Sequence, residues 1–151
     1  MPSDEHRKTE SRMSPGQSKK QFSDFVRIHA VNKNLITRDS EASILKEGVT
    51  RFRLELEEAN GILLAVAGEH DIALVSEVED TVATLLEQLV KNGKIGKKEF
   101  SDAVAIYKKL TNGSISDLEV RRRIKQMIEE KGWRARKTRR LFGTRKWFRR
   151  I

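Results

Sequence analysis

From Ser40 to Leu89 the chain reads SEASILKEGVTRFRLELEEANGILLAVAGEHDIALVSEVEDTVATLLEQL, and the apolar spacing of this stretch decides the fold class. Leu45, Val49, Phe52, Leu56, Ala59, Leu63 and Val66 recur in alternating steps of four and three, which lines up one face of a helix. Val75, Val78, Val82, Leu85 and Leu89 repeat the pattern beyond Gly68 and the Glu69-His70-Asp71 connection. So short a connection predicts that helices 40–67 and 71–91 form an antiparallel hairpin. Gly48 and Gly61 each weaken the first helix by roughly 1 kcal/mol relative to Ala, so it must rely on packing.

Toward the C-terminus the same punctuation occurs twice: Asn92-Gly93-Lys94-Ile95-Gly96-Lys97-Lys98-Glu99-Phe100 and Asn112-Gly113-Ser114-Ile115-Ser116-Asp117-Leu118-Glu119-Val120. In each, Asn-Gly supplies the left-handed residue that closes a helix. Gly96 or Ser116 then caps the next one, with Glu99 or Glu119 three positions on and Ile95 or Ile115 set to staple onto Phe100 or Val120. These marks bound predicted helices 97–110 and 117–130, whose apolar positions include Phe100, Ala103, Val104 and Tyr107, then Ile124, Met127 and Ile128. The nonamers imitate EF-hand loops in their Gly, Ile and Glu spacing. The early ligand positions, however, hold Gln88, Val90 and Asn92, or Lys108, Leu110 and Asn112, in place of the hard carboxylate oxygens calcium requires.

Toward the N-terminus, Lys20–Thr37 fits a short helix through Phe22, Phe25, Val26 and His29, although Val26, Ile28 and Ala30 also alternate as in a strand. Residues 1–19 are polar and charged with both prolines, too poor in apolar groups to order themselves. The expected organisation is an all-α protein, a small helical bundle of about four core helices built from antiparallel hairpins. It comprises a disordered tail (1–19), a short helix or linker (20–39), the bundle (40–131) and a basic C-terminal arm (132–151). A chain of 151 residues that is 37% hydrophobic supports one modest core. Cys is absent, which excludes disulfides and thiolate chemistry. No apolar run of spanning length or secretory pattern is seen, so the expected location is cytoplasmic.

Charge is distributed unevenly. Lys131–Ile151 carries ten of the 31 basic residues and none of the 22 acidic ones, interleaved with Trp133, Phe142, Trp147 and Phe148. From Leu54 to Val90 there are nine acids (Glu55, Glu57, Glu58, Glu69, Asp71, Glu77, Glu79, Asp80 and Glu87) and no Lys or Arg. Cations mixed with aromatics point to a polyanion, and nucleic acid, DNA or RNA, is the expected partner. Arg134, Arg136, Lys137, Arg139, Arg140, Arg145, Lys146, Arg149 and Arg150 are the expected phosphate contacts, and Trp133 and Trp147 the bases' stacking platforms. Arg121, Arg122, Arg123 and Lys125 extend the basic surface into the helix before the arm. That helix and its predecessor imitate a helix-turn-helix, but Glu129 and Glu130 interrupt the basic stripe, which favours electrostatic binding over groove reading.

Three other partners fit parts of the pattern. Trp147, Phe148 and Ile151 flanked by arginines suit an anionic membrane surface, or the same three residues dock on the bundle. An Arg-rich terminus also suits a protein receptor in secretion or transport. The stripes of 40–67 and 71–91 suit a homodimer. The acidic hairpin either solvates outer helix faces, repels nucleic acid and so orients the protein on it, holds the tail, or meets a basic partner. Glu69-His70-Asp71 is the only tight group of acid-base or metal-ligating residues, and neighbours on a loop point apart, so no metal, no cofactor and no catalysis are expected.

Overall fold

The computed structural model describes residues 14–138 and 143–151. Among these the chain is mainly helical and its helices pack on one another, as the apolar spacing predicts. In order it forms α1 (Pro15–Ala30), β1 (Leu35–Ile36), α2 (Arg38–Thr50), α3 (Leu56–Glu69), β2 (Ala73–Leu74), α4 (Val75–Leu89), β3 (Lys94–Ile95), α5 (Lys97–Leu110), α6 (Asp117–Glu130), β4 (Arg134–Ala135) and α7 (Lys146–Arg149).

The local signals for α5 and α6 act as read. Ser116 Oγ accepts from the Glu119 amide at 3.3 Å and donates to the Glu119 carboxylate at 3.1 Å. Gly96, which has no side chain to cap with, opens α5; Glu99 folds back over it, and a Cβ at Gly96 would run into that carboxylate. Ile95 and Phe100 are both buried in one cluster, as a staple requires.

The long helix expected over 40–67 is two helices. Leu54 donates to the Gly48 carbonyl at 3.1 Å, Arg53 takes a left-handed φ of 55°, and a Glu55–Glu58 capping box opens α3. The break turns both Phe52 and Leu54 into the core, where each is buried. In a continuous helix, residues two apart point to nearly opposite sides, so one of the two would have faced water.

Pairing also differs from the expected 40–67/71–91 hairpin: α3 packs on α1 and α2, whereas α4 packs on α5 and α5 on α6. Two cores result. One gathers Phe22, Val26, Ile44, Phe52, Leu63 and Val66 from α1–α3, the other Val82, Leu86, Phe100, Tyr107, Ile124 and Ile128 from α4–α6. The stripe residues Ala59, Leu63 and Val66 are thereby buried within the chain. The segment expected as a short helix or linker is helical: its first part lies in α1, which starts earlier, at Pro15 with Ser14 accepting from Gln17, and buries Phe22, Val26 and Ala30. Residues 15–19 of the expected disordered tail thus lie in α1, and residues 1–13 lie outside the described residues.

The two cores belong to two copies of one unit, helix–strand–helix–helix–strand: α1-β1-α2-α3-β2 and α4-β3-α5-α6-β4. In both, the strands form a parallel ladder, Leu35–Ile36 with Ala73–Leu74 and Lys94–Ile95 with Arg134–Ala135. Asn32 and Asn92, each left-handed, close the first helix of their unit. In α3 the buried positions are Ala59, Leu63, Val66 and Ala67, and the same places in α6 hold Val120, Ile124, Met127 and Ile128.

Candidate nucleic-acid interface

The basic tail is tied into the second unit. Gly132, with φ of 70°, takes the left-handed place after α6 that a side chain would strain, so Trp133 donates back to the Ile128 carbonyl at 3.0 Å. The chain then enters β4, where Arg134 donates to the Gly93 carbonyl at 2.9 Å and Arg136 to the Ile95 carbonyl at 2.7 Å. Ala135 is buried and Trp133 packs half-buried on the second core. Thr144 donates to Thr138 Oγ1 at 3.3 Å, which closes a loop and sets α7 against α5. Trp147 meets the Phe100 ring at 5.5 Å and Phe148 meets it at 6.1 Å, both edge-on. The Trp147 indole donates to the Arg136 carbonyl at 3.2 Å. Of the two alternatives for Trp147, Phe148 and Ile151, docking on the bundle is the arrangement found.

This docking gathers cations. Closure at Thr138–Thr144 places Lys137 beside Arg145, Lys146 and Arg149 around a cleft of about 250 Å3. A second cleft of about 410 Å3 shares Lys137 and adds Arg136 with Lys97 and Lys98 from the first turn of α5. Glu99 is the only acid lining either cleft, and it stands 3.6 Å from Arg136. Arg145 Nε is buried with no hydrogen-bond partner among the described residues, an unsatisfied donor in the cleft wall. Lys97 and Lys98 were absent from the expected contacts. Their signal was the basic run Lys91, Lys94, Lys97, Lys98, but only the β3–β4 register brings it to the tail.

Other expected contacts serve elsewhere. Arg121 pairs with Asp117 at 2.5 Å, and Lys125 lies 5.2 Å over the Phe148 ring. Arg122, Arg134 and Arg150 are exposed; Arg139 and Arg140 lie outside the described residues. Arg123 is drawn inward to Glu79, donating from Nε at 2.5 Å and Nη2 at 3.0 Å. Arg38, entering from the first unit, donates to the same carboxylate at 2.5 Å, and the Tyr107 hydroxyl stands 3.4 Å from it. Burial alone would raise the Glu79 carboxyl, but the hydrogen bonds from Arg123 and Arg38 outweigh it and hold the group below its ordinary value. Burial, with Glu79 alongside, pushes the Tyr107 phenol up to about 12.

The acidic stretch is partly neutralised by the same folding. Glu58 pairs with Lys19 at 2.7 Å, Glu69 with Arg27 at 3.1 Å, and Glu87 with Lys131 at 2.8 Å, while Glu79 is enclosed by its two arginines. Lys131 is the sole tail residue among the described residues paired with these acids, and the clefts keep their cations. Among the described residues no helix is long and apolar enough to cross a membrane, and no three acidic or histidine side chains converge on a metal position. No protein-family model, curated protein or solved structure matches the chain.

Proposed function

We propose that the protein binds nucleic acid with little sequence specificity through the basic face of its second unit, and that this is a binding role without catalysis. One observation carries the reading: besides Arg136, which is paired with Glu99, the tail and the first turn of α5 bring six cations, Lys97, Lys98, Lys137, Arg145, Lys146 and Arg149, around two adjoining clefts in which Glu99 is the only acid among the described residues. Clefts lined by one sign of charge focus the field and concentrate a polyanion. Arginines there engage phosphate bidentately and lysines as point charges. The lipid reading is less well supported, because the apolar residues that would enter a bilayer, Trp147 and Phe148, are packed on Phe100.

Charge reversal is the appropriate test, since Lys137, Lys146 and Arg149 have no acid partner among the described residues. Three phosphate contacts account for a slope of about −2.7 in log affinity against log salt, so K137E/K146E/R149E weakens binding about a hundredfold at roughly 150 mM salt. A gel shift with the wild type and this variant, matched by circular dichroism, reads the effect. Equal shifts for the two proteins overturn the assignment of the face. A wild type that leaves DNA and RNA unshifted but sediments with anionic vesicles turns the reading to lipid, and one that binds neither turns it to a protein receptor for the Arg-rich terminus.

A further inference from the structure

We infer that this face reads the phosphodiester backbone of a double-stranded nucleic acid, with Lys97 and Lys98 as one wall and Lys137, Arg145, Lys146 and Arg149 as the other; this rests on the nucleic-acid reading above and specifies its substrate. Single strands are held by bases stacking on aromatic rings, each ring contributing about 1–3 kcal/mol. The tail's composition promises such rings, but the fold spends those it describes. Trp147 is wedged edge-on between Phe100 and Phe148, with its indole donor used by the Arg136 carbonyl. Phe148 lies under Lys125, and Trp133 packs on the second core beside Met127. Trp147, pinned by these contacts, is the one ring among the described residues that lines either cleft, and the rest of the lining is mainly charge.

A surface of charge whose one described ring is held edge-on by Phe100 and Phe148 follows phosphate density, which duplexes supply at about one charge per 1.7 Å of axis, twice that of a strand. Two clefts joined at Lys137 suit consecutive phosphates along one edge of a groove. Six contacts give an expected salt slope of about −5 on a duplex and about −4 on a single strand. That one unit corresponds to about sevenfold tighter duplex binding at roughly 150 mM salt.

The experiment uses the full chain, fluorescence anisotropy with a 20-base-pair duplex and with each of its strands, and tryptophan emission in parallel. The expected result is tighter duplex binding by about that factor, with tryptophan emission little changed. K97E/K98E is expected to lose about thirtyfold in duplex affinity through two lost contacts. Its fold is spared, because acids in a helix's first turn are favourable. K33E/K46E, the same charge change on exposed positions of the first unit, is expected to lose less than about threefold because of screening. Single strands bound as tightly as the duplex, with strong tryptophan quenching, overturn the duplex inference and leave nucleic-acid binding standing. K97E/K98E behaving like K33E/K46E overturns the α5 wall. Binding of neither duplex nor strand overturns both this inference and the function it rests on.

Discussion

Replacing Glu79 by Ala tests whether the two units are joined by a buried charge. The Glu79 side chain is 5% exposed and takes Arg123, Arg38 and the Tyr107 hydroxyl. Removing a buried ion-pair partner costs about 3–5 kcal/mol, because the remaining charge stays desolvated. Two features place this case at the lower end. Arg38 is 53% exposed and rehydrates, and Arg123 keeps Glu130 at 3.6 Å. The expected loss for E79A is therefore about 3 kcal/mol, which for a chain of this size lowers Tm by about 9 °C. Urea unfolding at pH 7 measures it. The pH dependence follows from the depressed Glu79 carboxyl: its contribution is complete above the unfolded value of about 4.3 and is lost as pH falls through the lower folded value. The gap between wild type and E79Q should therefore be present at pH 7 and shrink below pH 4. An E79A protein within 1 kcal/mol of wild type at an unchanged m value, or a gap that does not shrink at all as pH falls below the unfolded value, refutes the reasoning.

Gly48 and Gly61 should respond oppositely to Ala. A Cβ on Gly48 would stand 2.9 Å from Ala59 Cβ and 2.9 Å from Phe22 Cζ, so overpacking outweighs the gain in helix propensity and G48A loses about 1–2 kcal/mol. G61A meets nothing within 4 Å and should gain up to about 1 kcal/mol, both read by thermal melts. Ending the chain after Lys131 removes β4 and the cover over Phe100. The shortened protein should lose about 3 kcal/mol or more and bind a hydrophobic dye, whereas a melt and dye response like the full chain's show that the tail does not pack as described.

The helices α5 and α6 were legible because their limits are set locally. Asn-Gly, Ser116 and Glu119 decide backbone conformation within a few residues, whatever surrounds them. The break at Arg51–Glu55 was not, since no Gly or Pro marks it: Arg53 is held left-handed by the burial of Phe52 and Leu54 on either side. The repeat of the two units went unread for a related reason. The paired Asn-Gly marks lie 20 residues apart and hide the longer period from Asn32 to Asn92, which becomes visible only when the buried positions of α3 and α6 are superposed.

For the candidate site, composition alone established a concentration of cations over Lys131–Ile151 and an acidic stretch over Leu54–Val90, since charge is counted without coordinates. Tertiary structure decided which charges remain to be used. Parallel pairing of β3 with β4 brings Lys97 and Lys98 to the tail, and contact with Phe100 packs Trp147 and Phe148 on the second core. Glu79 neutralises Arg123 and draws it inward from the basic surface. Helical class and net charge follow from residue periodicity and count, which are properties of the chain read in order. The shape of the basic face depends on contacts between residues some forty positions apart, and such contacts exist only after the two cores have closed.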